Sequence, residues 1–377
     1  MKIRFLAVIG LTLLAAVSQA YAQARPAGMI TNGPTKAKLL EWGGDSPSVQ
    51  DFRDHIDRIE ATPFDGTVIS VTGKDGDKVV DLGWRFWCKE SYKPEHFTEP
   101  VKILKAAKRK QFTDCFLRVN VTPGDISFLD DKGWSSILEN AKAAAWVAKE
   151  SKLKGWMFDV EQYEKQVFKY PDQNKMQPGS FEEYQKAARR RGSDFIKTIN
   201  SEYPDITILM TFGYSLAIGD HKNLEPALYG LLPAFLDGVL EAAHKDTTLI
   251  DGLEFAYGFK TRTEFETLKA LMRINGKGLS KVPELYQKRM KMAYGIWIDN
   301  NSGTRGWDPE HPEKNYFQPK EIEESLRLGL ELTETYVWLY SERLNWYTRK
   351  AVTEPYLSAV ANAQTPPKKV PASIPGN

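Results

Sequence analysis

Cysteine is scarce. Cys88 and Cys115 are the two in 377 residues, too few for a disulfide scaffold and without the spacing of a metal set. An exported chain can join them, and the spacing alone does not decide this. The five histidines are His55, His96, His221, His244 and His311, and no two stand at zinc-binding spacing. There is no G-x-S-x-G elbow, phosphate-binding loop or dinucleotide fingerprint. Asp125, Asp130 and Asp131 lack the periodicity and closing Glu of a calcium loop, and read as the start of a helix. No metal and no cofactor is expected. Charge of one sign is lacking as well: Lys plus Arg number 51 and Asp plus Glu 49, a net +2. Without a basic stripe, a nucleic-acid partner is not expected. The run Arg189-Arg190-Arg191 falls in a helical pattern and reads as a solvated face.

Long apolar runs are absent but for one, from Phe5 to Val17 behind Lys2 and Arg4. It is short for a membrane span, and Ala20-Tyr21-Ala22 fits a small-x-small cleavage site. Residues 1–22 are therefore expected to be a signal peptide, with an uncleaved anchor as the alternative. The mature chain, without a membrane segment, would be periplasmic or extracellular. Residues 23–36 read as a flexible leader and 353–377, with Pro366, Pro367, Pro371 and Pro375, as a Pro-rich tail. One domain is expected over 37–352.

Within that domain, eight short apolar runs alternate with amphipathic segments. The runs cover 38–42, 66–71, 115–120, 155–161, 206–212, 250–257, 292–299 and 335–342. Helical patterns fall at 48–61, 134–152, 181–202 and after Pro319. Strands alternating with helices imply parallel pairing, and eight such units imply a single-domain (β/α)₈ TIM barrel. An open doubly wound parallel sheet is the alternative.

A TIM barrel carries its site at the C-terminal strand ends. There the third run offers Arg118 and Asn120, the fourth Asp159, Glu161 and Tyr163, and the fifth leads to Tyr214. The sixth carries Glu254 and Tyr257, the seventh Trp297 and Asp299, and the eighth Trp338 and Glu342. The second leads into a loop with Trp84, Phe86 and Trp87. Acidic residues that end apolar strands are costly to bury without partners, so four strands ending this way argue for a site. Asp159 and Glu161, two apart, would share a side of their strand. One carboxyl kept protonated by a neighbouring charge suits glycoside hydrolysis. The aromatic content of 12%, with 10 Trp and 16 Tyr, supplies faces on which sugar rings stack.

The segment Gly155-Trp156-Met157-Phe158-Asp159-Val160-Glu161 resembles the strand-four motif D-G-x-D-x-D-x-E of chitinase-type (family 18) glycoside hydrolases. The first two aspartates of that motif are Lys154 and Met157 here. The resemblance implies that Glu161 is the general acid and Asp159 its support, with Tyr257 and Trp338 in the places where that family keeps a Tyr and a Trp. More broadly the chain resembles TIM-barrel glycoside hydrolases. The expectation is a secreted glycosidase for a poly- or oligosaccharide, with Glu161 and Asp159 catalytic and Glu254 or Asp299 as second carboxylate. Tyr163, Asn120, Arg118, Tyr214, Tyr257, Trp297, Asp299, Trp338 and Glu342 would contact the sugar. A non-catalytic carbohydrate-binding barrel is the alternative.

Overall fold

The computed structural model describes residues 37–43, 46–220, 222–300 and 306–364. The expected signal peptide, the leader, Asn301 and the residues beyond 364 lie outside them. The strands are β1 (Lys38–Gly43), β2 (Gly66–Ile69), a hairpin of β3 (Thr72–Asp75) and β4 (Lys78–Asp81), then β5 (Phe116–Asn120) and β6 (Gly155–Asp159). After these come β7 (Thr207–Met210), β8 (Thr248–Asp251), β9 (Met290–Met292), β10 (Tyr294–Trp297) and β11 (Tyr336–Ser341). All but the hairpin join one parallel sheet, in the order β10-β11-β1-β2-β5-β6-β7-β8-β9. Only Ala293 separates β9 from β10, and its N–H donates to the Asp251 carbonyl at 2.9 Å. The two are one interrupted strand, so eight strands close into a (β/α)₈ barrel, which excludes the open sheet.

Alternation along the strands divides the apolar residues between two compartments. Leu40, Val68, Phe116, Met157, Leu209 and Ile250 fill the barrel. Leu39, Ile69, Leu117, Phe158 and Ile208 face the helices. The helix Asp131–Glu150 starts where Asp130 accepts from the Gly133 N–H, and Phe181–Glu202 starts at a Ser180/Glu183 capping box. The second matches the sequence pattern at both ends.

Other elements differ from expectation. The segment 48–61 is two short helices, Val49–Asp54 and Ile56–Glu60, broken at His55. The hairpin β3–β4 has mostly exposed side chains and so no apolar run to betray it. Residues 353–377 are not all tail. Glu354–Ala363 is a helix with Tyr356, Ala359, Val360 and Ala363 buried, and the Tyr356 hydroxyl donates to the Phe317 carbonyl at 2.8 Å. Apolar spacing outweighs the prolines there, and the barrel unit runs to Ala363. Cys88 and Cys115 are both free and buried.

One indole constrains the upper barrel. Trp338 is fully buried, and its Nε1 donates to the Gly252 carbonyl at 2.9 Å. A Cβ on Gly295 would lie 2.3 Å from that ring, closer than real atoms approach. Gly295→Ala should therefore lower stability by roughly 1–3 kcal/mol through overpacking. Gly278→Ala, with open space around the added Cβ, should be close to neutral. Denaturant unfolding of the two variants checks this.

Candidate active site

Asp159 is the last residue of β6, and Glu161 stands two residues beyond the strand. Buried Asn120, paired with Asp159 across β5 and β6, holds this exit. Its amide donates to the carbonyls of Asp159 at 3.0 Å and Glu161 at 3.2 Å, while its own oxygen accepts from Thr122. The Glu161 N–H in turn donates to Asp159 Oδ1 at 3.1 Å. Asn120 is thus a clamp on backbone rather than a sugar ligand, because its amide group is occupied within the protein.

Glu254 arrives by another route. It does not lie on a strand: β8 stops at Asp251, and Glu254–Ala256 forms a single 3₁₀ turn. The turn is entered through Leu253, fully buried at φ 44° and ψ 56°. A non-glycine residue in this left-handed region is strained and persists because its surroundings hold it. The result places the carboxyl of Glu254, 7% exposed, within electrostatic reach of Glu161 and Asp159.

The three carboxyls act as one group. Burial, then the charge of Asp159, pushes Glu161 up to about 7, against a hydrogen bond from the Tyr163 hydroxyl and the charge of Arg118. Burial raises Asp159 as well, opposed by Arg118, whose guanidinium stands 3.7 Å from Oδ2. Glu254 is raised well above the ordinary carboxyl range, by burial and then by Glu161 and Asp159. Three buried carboxyls beside one guanidinium cannot all ionise, so they hold at least one proton near neutrality.

Rings surround this group. Tyr257 touches Trp297 and Trp338, each at 5.4 Å between ring centroids, and stacks on Tyr340 at 5.7 Å. Trp42 meets Trp338 at 5.3 Å from the β1 side. At the mouth, Trp84 and Tyr163 are 39% and 41% exposed with centroids 5.3 Å apart. The Arg118 guanidinium lies 3.8 Å over the Trp84 ring.

The cup therefore gathers Arg118, Asp159, Glu161, Tyr163, Glu254, Tyr257, Trp297 and Trp338, the last as its floor. Two expected members lie elsewhere. Tyr214 is fully buried, its hydroxyl donating to Asp237 at 2.7 Å and its ring packed on Tyr286. Asp299 is a brace: its carboxylate accepts from Trp297 Nε1 at 2.6 Å and from the N–H groups of Glu342 and Arg343 at 3.0 and 2.6 Å. Glu342 is exposed at the rim. Phe86 and Trp87 are buried in the aromatic layer outside the barrel, against Trp156, Trp134 and Phe195. Trp42 and Tyr340 are cup rings that were not expected. The signal for Tyr340 was the i, i+2 series Trp338, Tyr340, Glu342 on one strand face. Among the described residues, no group of His, Cys, Asp and Glu is placed to hold a metal ion, and no helix is long and apolar enough to cross a membrane.

No protein-family model matches the chain, and comparison with curated proteins gives no match. Solved structures do match in shape. A lichenase of glycoside hydrolase family 5 from Caldicellulosiruptor sp. F32 superposes with a TM-score of 0.50 at 10% identity, covering 91% of this chain and 98% of that one. A family 5 xyloglucanase from Bacteroides ovatus, in complex with a XXXG heptasaccharide, gives 0.46 at 11% identity, with 90% and 79% covered. An alpha-amylase from Lactobacillus plantarum gives 0.44 at 10%, with 88% and 80% covered. At its 10% identity the likeness to the lichenase bears on the fold alone, which is the TIM barrel.

The raised Glu161 has a consequence for stability. An unfolded chain ionises this carboxyl in the ordinary range, the folded chain only near 7. Folded protein thus binds more protons between those values, and stability falls as pH rises through that window. Glu161→Gln removes the loss. Its melting temperature should match wild type below pH about 4, exceed it increasingly up to pH about 7, then run parallel, by a few degrees overall. Scanning calorimetry across pH checks the sign.

Proposed function

We propose that the protein is a glycoside hydrolase that cuts a poly- or oligosaccharide, with Glu161 as general acid. One observation carries the reading: Glu161 is held near pKa 7 beside a second carboxyl, Glu254, in a ring-lined cup at the C-terminal end of the barrel. A carboxyl poised there gives its proton to the departing sugar oxygen and takes it back from water. Glu254 is the second carboxylate, as nucleophile or as the base on a water. It is preferred to Asp299, whose oxygens are taken by N–H donors. In this reading the reacting state has the shared proton on Glu161 and Glu254 ionised, against the burial that raises Glu254. Asp159 supports the pair through its charge and through the N–H of Glu161. Tyr257, Tyr340, Trp297 and Trp42 offer faces for sugar rings. The family 5 lichenase with the same barrel agrees with this reading. The family 18 resemblance is kept only for the segment ending in Asp159 and Glu161, with Tyr257 and Trp338.

A second reading, a barrel that binds sugar without cutting it, is favoured by the burial of Glu254, 7% exposed. Incubating the protein with neutral, amino and acidic polysaccharides and measuring new reducing ends decides. Turnover should fall by about 10²–10⁴ in Glu161→Gln with sugar affinity retained. Binding without turnover on every polysaccharide would select the second reading.

The pH profile gives a further check. Activity should fall above pH about 7 as Glu161 loses its proton. The Tyr163 hydroxyl favours the ionised form by donating to it, so Tyr163→Phe should move that limb to higher pH. The first 22 residues are further proposed to direct export, with a mature chain starting at Gln23 that N-terminal sequencing of secreted protein would show.

A further inference from the structure

The hydrogen-bonding groups of the cup are unevenly matched. Most of its donors are already engaged within the protein. Trp338 Nε1 donates to the Gly252 carbonyl and Trp297 Nε1 to Asp299. The Tyr163 hydroxyl donates to Glu161. The Arg118 guanidinium lies over Trp84 and faces Asp159, and its buried Nε is the one donor left without a hydrogen-bond partner among these. What remains towards the interior, that one guanidinium apart, is acceptor: the carboxyls of Asp159, Glu161 and Glu254. One atom makes the imbalance explicit. Asp159 is 0% exposed, and its Oδ2 receives no hydrogen bond; the Arg118 guanidinium stands 3.7 Å from it, beyond hydrogen-bond reach. A buried carboxylate oxygen left in this state is costly, and a ligand donor relieves it.

Three classes of sugar differ in what they bring. An acidic sugar adds acceptors and negative charge beside three carboxyls and one guanidinium, and is repelled. A neutral sugar brings hydroxyls, each a donor with lone pairs of its own. An ammonium group has three donors and no acceptor, and its bonds to carboxylates are charge-assisted.

We propose that the sugar unit held in the cup carries a free amino group, bound in its ammonium form by Asp159 Oδ2 with the carboxyl of Glu254 or Glu161 alongside. This rests on the glycoside hydrolase reading for its chemistry, but its own claim is one of binding.

Binding is therefore measured directly, by calorimetry in mildly acidic buffer, on the Glu161→Gln protein, which retains Asp159 and Glu254 and does not consume ligand. The ligands are short oligosaccharides of equal length with amino, N-acetylamino or hydroxyl at the same carbon, in gluco and galacto series. The amino form should bind about tenfold or more tighter than both others in one series, and added salt should narrow the gap. Asp159→Asn in the same background should remove most of that preference while its melting temperature shows it folded. An amino form that binds no tighter than the others in either series, or binds not at all, overturns the proposal. A preference unchanged in Asp159→Asn overturns the assignment to that residue. The two readings fail separately. Wild type that cuts a neutral polysaccharide without amine preference sinks this inference alone. Amine-selective binding with no turnover of any sugar sinks the hydrolase alone.

Discussion

The C-terminal end of the barrel rests on one indole. Eight parallel strands leave an interior that side chains must fill, and Trp338 fills it where the strands end. Its ring lies against Gly295 and its Nε1 reaches the Gly252 carbonyl. Larger residues at those two positions would push the ring out. Because it is seated, Tyr257 and Trp42 can pack against it, and Tyr340 packs on both. These rings keep water away from the carboxyls beside them, and burial is the leading cause of the upward shift at Asp159, Glu161 and Glu254. The proton chemistry of the cup thus follows from a packing decision on the last strand.

The carboxyl group itself is built from backbone as much as from charge. Asn120 fixes the carbonyls of Asp159 and Glu161, and the Glu161 N–H returns to Asp159. Leu253 accepts a left-handed conformation so that Glu254 turns towards the same place. Both devices hold charged groups closer than they would choose, a pattern familiar where a protein stores strain at a functional site.

The barrel was legible because period-two alternation and strand–helix order are written in the residues themselves. Asp159 and Glu161 were legible for the same reason, since a carboxylate closing an apolar run stands out. Asn120 and Asp299 were read as ligands because polarity at a strand end says nothing about which partner is taken. Tyr214 was misplaced because the fifth strand ends at Met210, and its continuation is a 3₁₀ segment that turns the ring away from the cup. The Trp84 stack on Arg118 joins the segment after β4 to a strand distant in sequence, and no local pattern encodes such a contact. The hairpin β3–β4 was invisible for want of buried residues.

The strand that carries Trp338 and Tyr340, and leads to the rim residue Glu342, is also the last of the described strands to be made. Its pairing with β1 joins Leu40 to Trp338, positions 298 apart (338 less 40). Contacts this remote bear the largest loop-closure entropy and form late in folding. Until β11 docks, β1 offers an unpaired edge that invites association with other chains. In that interval the cup has neither its floor, Trp338, nor the Tyr340 ring. The cup is therefore coupled to completion of the fold, and a chain arrested before β11 both lacks it and is sticky.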